Sequence, residues 1–337
     1  VTNSGSEVTH EDGAGSGGEP TTGEPFALFG HDLFGDPVVP KGRGPLAERF
    51  EFPPFSVLDA RSGEWQERKR AWLSLGIESE IGRGRFNYAS PQAARLAGGY
   101  LSDDGKQKPT SDSSVFDPVL CELSYRWFCP PGGMVLDPFA GGSVRGIVAA
   151  LLGYGYHGIE LRAEQVAANE AQRSAILSGA EPAPAWICAD ARDALPSAPA
   201  ADLVFTCPPY GDLERYSDDP RDLSALSHEA FGIAYRAVIA AAVARLRPDR
   251  FAAIVVGEYR DRTSGLYRGF IPFTWAAFEA AGARYYNEAV LVTPAGSLPV
   301  RAGKQFAAGR KLGKTHQQLL VFVKGDPRAA ARACGEI

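Results

Sequence analysis

Four short apolar runs between residues 134 and 210 each end in a polar or acidic residue, and this series constrains the fold more than any other feature of the chain. Met134-Val135-Leu136 closes on Asp137, and Tyr156-His157-Gly158-Ile159 on Glu160. Trp186-Ile187-Cys188-Ala189 closes on Asp190, and Ala201-Asp202-Leu203-Val204-Phe205 on Thr206 and Cys207. Helical stretches separate them, the clearest being Val144 to Leu152. From Val115 onward strands and helices alternate, the pattern of a parallel sheet with helices on its faces. In such an α/β fold the carboxyl ends of the strands meet at one edge, where ligands bind. Further along, Ile233 to Leu246 reads as an Ala-rich helix stopped by Pro248, Phe251 to Val256 as a strand, and Gly269 to Ala281 as a helix. Ala289 to Thr293 and Gln318 to Val323 are expected as a final antiparallel pair.

The strand ends carry chemistry. Asp137 is followed by Pro138-Phe139-Ala140-Gly141-Gly142-Ser143. The two glycines let backbone approach a ligand where a side chain would collide, and the helix start behind them favours electron-rich groups. The three-glycine spacing of dinucleotide sites is absent. Glu160, about twenty residues beyond, stands where an acid reaches ribose hydroxyls in doubly wound folds. Thr206-Cys207-Pro208-Pro209-Tyr210 forms a rigid claw. Its prolines remove two backbone donors and hold the segment extended. Carbonyl acceptors and the flat face of Tyr210 suit a planar base with an exocyclic amino group.

In this order the motifs resemble those of the DNA amino-methyltransferases, which modify adenine or cytosine amino groups, and are most similar to phage-borne and actinobacterial DNA methylases. The resemblance runs from about Ser114 to Gly325. It is carried by Phe116-Asp117-Pro118 and by Leu136-Asp137-Pro138-Phe139-Ala140-Gly141. It continues in Pro208-Pro209-Tyr210, through Asp212-Leu213-Glu214, to Tyr216-Ser217-Asp218-Asp219-Pro220, and in Gly303 to Gln317. It implies an α/β, class I (Rossmann-like) S-adenosylmethionine-dependent methyltransferase fold: a seven-stranded mixed sheet with helices on both faces. It also implies S-adenosyl-L-methionine as cofactor, double-stranded DNA as partner and no metal. Phe116 and Asp117 would cap the methionine end of the cofactor. Asp137, Pro138, Phe139 and Gly141 would line its amino-acid side, Glu160 would meet the ribose and Asp190 the adenine. Cys207, Pro208, Pro209 and Tyr210 would hold the target base, flipped out because a duplex hides its amino group in the stack.

Two positions depart from the family. Gly142 falls one place earlier than the second glycine of the usual loop. Cys207 stands where the class has Asp, Asn or Ser, and a thiol is a weak hydrogen-bond partner. Cys207 also suits a thiolate nucleophile of the kind that methylates pyrimidine ring carbon, although those enzymes usually place the cysteine after a proline. A plain structural cysteine is a third reading. Cytosine carbon-5 methylation, RNA amino-methylation and DNA binding without catalysis therefore stay open beside amino-methylation of DNA.

The chain has 337 residues and 45% hydrophobic content, enough for a sizeable core. No run of eighteen apolar residues suggests a membrane span, and no secretory signal pattern opens the chain. Cys121, Cys129, Cys188, Cys207 and Cys334 form no Cys-x-x-Cys pair, which points to a reducing, cytoplasmic setting. The net charge of −5 misleads. Glu7, Glu11, Asp12, Glu19 and Glu24 lie in the first 25 residues with no Lys or Arg, and the remainder is neutral at thirty-five acids and thirty-five bases.

The organisation reads as a disordered acidic tail (1–25), an N-terminal region (26–112) with a possible target-recognition role, a catalytic domain (113–325) and a C-terminal tail (326–337). Within the N-terminal region, Trp65 to Trp72 mixes aromatics with Arg68, Lys69 and Arg70. It reads equally as a nucleic-acid contact or a packed helix. Between the last two strands, Arg301, Lys304, Arg310, Lys311 and Lys314 occur without one acid. Gly303, Gly309 and Gly313 suggest a supple loop, expected to grip DNA phosphates.

Overall fold

The computed structural model describes residues 44–78, 115–179, 181–211, 215–296 and 298–336. The acidic tail, residues 26–43 and 79–112 of the N-terminal region, residues 113–114 and Asp212-Leu213-Glu214 lie outside them. The strands are β1 (Val57–Asp59), β2 (Met134–Asp137), β3 (Gly155–Glu160), β4 (Ala185–Cys188), β5 (Ala201–Thr206), β6 (Leu246–Val256), β7 (Arg284–Val292) and β8 (His316–Lys324). The helices are α1 (Pro45–Phe50), α2 (Gly63–Ser74), α3 (Pro118–Phe128), α4 (Val144–Leu151), α5 (Ala163–Ile176), α6 (Ala191–Ala194), α7 (His228–Arg245), α8 (Phe270–Ala280), α9 (Leu298–Gly309) and α10 (Pro327–Cys334).

All eight strands form one sheet in the order β1-β7-β8-β6-β5-β2-β3-β4. β8 runs antiparallel to both neighbours, and every other pairing is parallel. β5 is central, and each of its residues is buried. That is why its sequence is a continuous apolar run instead of an alternating one. Val204 faces a core shared with Tyr235, Val238 and Ile239 of α7 and Phe278 of α8. Phe205 faces the other way, edge-on to Tyr125 of α3 at 5.3 Å.

The sheet has one strand more than the seven expected. Val57 of β1 pairs with Val290 of β7, and only Leu58 among its three residues is buried. A strand this short shows no period of two, so nothing in the sequence marked it. Beyond it, Trp65 and Trp72 are 1% and 2% exposed. Trp72 donates to the buried Glu122 carboxylate of α3 at 2.9 Å, and Arg68 donates to it at 2.7 Å. The run from Trp65 to Trp72 is thus a packed helix, and its indoles are not available to stack on a base. The segment 326–337 is more than a tail: α10 buries Ala330 and Cys334. No described helix is long and apolar enough to cross a membrane.

Candidate active site

β2 ends in Asp137, which is fully buried. Its carboxylate accepts from Thr206 Oγ1 at 2.6 Å, Tyr156 Oη at 2.8 Å, the Phe139 amide at 3.1 Å and Arg145 Nε at 2.5 Å. Arg145 uses its other end to donate to the carbonyls of Phe139 and Ala140, at 2.6 and 2.7 Å. Burial, reinforced by the Asp137 carboxylate, pushes the Tyr156 phenol well above its ordinary range. Asp137 therefore ties the ends of β2 and β5 and the start of β3 to the glycine turn, and it does not line the cavity. Asp137, expected beside the cofactor, lies behind the turn and holds its shape.

The turn itself is held by a closed ring of hydrogen bonds. Gly141, at φ +52°, donates its amide to Glu160 Oε2 at 3.0 Å. Glu160 Oε1 accepts from the amide and side chain of Arg162. Arg162 donates to Gln165 at 3.0 Å, Gln165 to Asn169 at 2.9 Å, and Asn169 to the Gly141 carbonyl at 2.8 Å. Gln165 and Asn169 are fully buried, and each is satisfied by its neighbours, as buried amides must be. Their spacing of four residues on α5 was the available signal, and sequence reasoning passed over it.

One cavity of about 620 Å3 runs along this rim. Phe116, Asp117, Pro138, Phe139, Gly141, Glu160 and Asp190 line it together with Cys207, Pro208, Pro209 and Tyr210. Asp190 caps α6 through the Arg192 amide at 2.8 Å and pairs with the Arg192 side chain. At the opposite wall Asp117 caps α3, accepting from the Val119 amide at 3.0 Å. It also accepts from Trp65 Nε1 at 3.2 Å and Lys69 Nζ at 3.1 Å. Phe116 lies under the Arg145 guanidinium at 4.6 Å. Lys69 and Gln66 of α2 line the same wall, two cavity residues that sequence reasoning did not assign.

The claw follows β5 directly. Tyr210 packs edge-on against Phe270 at 5.8 Å, and its hydroxyl accepts from Gln317 Nε2 at 2.9 Å. Burial, then the neighbouring Cys207, pushes its phenol well above its ordinary range. Gly211 follows at φ +53°, and a methyl group there would collide with the Tyr259 hydroxyl. Glycine is thus required for the chain to turn beside Tyr259. Cys207 is half-buried in the cavity wall.

The five basic residues lie outside the cavity. The segment expected as a supple loop is partly helical: α9 carries Arg301 and Lys304, and Arg310, Lys311 and Lys314 follow it. Pro299 fits the first turn, and Gln305, Ala307 and Ala308 are good helix formers. They outweigh Gly303, which costs a helix interior roughly 1 kcal/mol. None of the helix is buried. Lys314 differs from the other four. Its ammonium turns inward to the Glu258 carbonyl at 3.4 Å, and burial lowers its pKa. Among the described residues no group of three or more His, Cys, Asp or Glu side chains is gathered to hold a metal.

No protein-family model matches the chain, and no curated protein does. Among solved structures, TrmN from Thermus thermophilus is similar over 62% of this chain and 49% of its own, at 19% identity and a TM-score of 0.42. A Thermus thermophilus protein provisionally named a DNA modification methylase is similar over 40% of this chain and 50% of its own, at 20% identity and a TM-score of 0.30. This chain thus spans about half the length of each. Magnesium protoporphyrin IX methyltransferase from Synechocystis, solved with S-adenosylhomocysteine bound, is similar over 58% of this chain and 75% of its own, at 13% identity and a TM-score of 0.38. These are likenesses of fold alone. The strand order, with β8 as the single reversed strand, is that of the Rossmann-like S-adenosylmethionine-dependent methyltransferase fold.

Proposed function

We propose that this protein is an S-adenosylmethionine-dependent methyltransferase acting on an exocyclic amino group of a flipped-out adenine or cytosine in DNA. The observation that carries the reading is the single cavity shared by the glycine turn, the strand-end acids and the Cys207–Tyr210 claw. A methyl donor and a planar acceptor must meet in one space, and this cavity offers a wall suited to each.

The donor set fits the cofactor. Lys69 and Asp117 offer opposite charges at one end, matching an amino acid's carboxylate and ammonium. Glu160 and Asp190 both line the cavity, and a carboxylate accepts from hydroxyl and amine donors. Glu160 suits the ribose hydroxyls and Asp190 the adenine amine. When bound, the cofactor supplies an electrophilic methyl group on a sulfonium sulfur.

On the acceptor side, Tyr210 stacks on the base and the Pro208 carbonyl accepts from its amino group, assisted by Cys207. Those acceptors turn the nitrogen lone pair out of ring conjugation, which makes the nitrogen nucleophilic. Arg301, Lys304, Arg310 and Lys311 grip phosphates of the duplex outside the cavity.

The test is to incubate the protein with labelled cofactor and either DNA or RNA, digest the acceptor to nucleosides and identify the labelled one. Label on an adenine N6 or cytosine N4 of DNA supports the reading. Label on cytosine carbon-5, or on RNA alone, replaces it.

A further inference from the structure

Leu312 and Leu266 are the two most exposed large apolar side chains among the described residues, at 73% and 69%. Single exposed leucines are ordinary on a protein surface. The turns that carry these two are bridged by a side chain. A methyl group on Gly265 would meet Lys311 Nζ at 2.5 Å, so the side chain of Lys311, next to Leu312, reaches across to the turn carrying Leu266.

Both mounts are fixed. Arg260 and Tyr267 form a β-bridge, with the Arg260 guanidinium 3.8 Å from the Tyr267 ring centre. Within that turn the Asp261 amide donates to the Leu266 carbonyl at 2.9 Å. On the other turn a methyl group at Gly313 would meet Leu298 at 2.7 Å, so the chain after α9 folds back on the helix start.

Both turns also grow from residues that touch the claw. Tyr259, one residue before the bridge, packs on Tyr210 at 6.4 Å. Gln317, five residues after Leu312, hydrogen-bonds Tyr210. The surroundings are cationic. No acid occurs between Glu288 and Asp326. The single acid of the first turn, Asp261, is paired with Arg268 at 2.5 Å. An apolar tip among cations beside a base-holding claw fits a polyanion with an apolar interior.

We infer that Leu266 and Leu312 form a two-pronged apolar wedge that enters duplex DNA beside the target base and holds open the space it leaves. The inference rests on the DNA reading above. Leucine side chains inserted between base steps unstack and kink a duplex, and extraction of a base requires that unstacking. The two leucines are positioning residues: they touch neither the cofactor nor the reacting nitrogen.

The test compares the full-length wild type with Leu266→Ala/Leu312→Ala and Leu266→Met/Leu312→Met on PCR-amplified genomic DNA, which carries no prior methylation. Removing neutral side chains leaves the phosphate contacts intact, so the alanine variant should keep DNA affinity within about two-fold and the same salt slope. Its methyl transfer at saturating DNA should fall about ten-fold or more, because the unstacking that base extraction requires loses its support. The methionine variant should recover most of the rate, and cofactor affinity should be unchanged throughout. An undiminished saturated rate in the alanine variant overturns the wedge. So does a loss of DNA affinity with the saturated rate intact, which would make the leucines simple surface contacts. A wild type that binds cofactor but labels RNA alone overturns the DNA reading itself, a separate result.

Discussion

The ammonium of Lys69 stands 3.1 Å from the carboxylate of Asp117, and the pair faces the cavity from α2 and the start of α3. Trp65, one turn before Lys69, donates to the same carboxylate. Helix α2 thus closes one wall of the cavity. Residues 63–74 help to line the cavity, although they lie far upstream of the glycine turn in sequence.

Lys69→Met should therefore weaken S-adenosylmethionine binding. The loss of one charge-assisted hydrogen bond, at about 1.5–3 kcal/mol, corresponds to about ten-fold or more in affinity. Binding of 5′-methylthioadenosine, which lacks the amino-acid end, should be unchanged. Calorimetry on both ligands checks this. Equal weakening of the two would show that Lys69 acts only by holding α2 in place.

Asp137→Ala should destabilise the protein, not merely empty its cofactor site. The substitution strands the buried Arg145 guanidinium and leaves Thr206 and Tyr156 without their acceptor. Removing one partner of a buried ion pair costs about 3–5 kcal/mol. Urea unfolding measures it, and an unchanged midpoint would show that the network does not support the fold.

Tyr210→Ala should lose turnover with little change in cofactor affinity, because the ring serves the base. Truncation of a stacking aromatic costs about 1–3 kcal/mol per base. Tyr210→Phe keeps the ring and gives up the contacts of its hydroxyl with Gln317 and Cys207, so it should retain most of the rate. Steady-state methylation alongside cofactor titration separates the two effects. Equal losses in both variants would move the importance of Tyr210 from its ring to its hydroxyl.

Much of this arrangement was legible because β5 and its neighbours are apolar runs with polar ends. Phe205 and Thr206 mark such an end without any knowledge of the fold. Lys69 was harder. Its partner lies 48 residues away, and pairing at that range leaves no local trace. The spacing of Trp65, Lys69 and Trp72 did put them on one helical face. α9 was obscured by Gly303, which read as a loop signal although the surrounding residues favour a helix. The internal partners of Asp137 were not legible, because a strand-end acid looks the same whether it faces a ligand or four internal donors. Only the positions of Arg145, Tyr156 and Thr206 distinguish the two.

Cys207→Ser should retain methyl transfer, and the argument rests on the two chemistries open to this position. In amino-group methylation residue 207 supplies at most an acceptor beside the Pro208 carbonyl, and a hydroxyl accepts better than a thiol. In ring-carbon methylation residue 207 must attack the base, and a serine hydroxyl without an activating base is a far poorer nucleophile than a thiolate. The substitution changes size little, and Cys207 is only half-buried, so folding should not confuse the outcome. Labelled transfer to DNA by Cys207→Ser, at a rate equal to or above wild type, is the expected result. A folded, cofactor-binding Cys207→Ser protein with no activity, together with a covalent adduct between the wild type and a fluorinated cytosine, would make this a carbon methyltransferase built on an amino-methyltransferase framework.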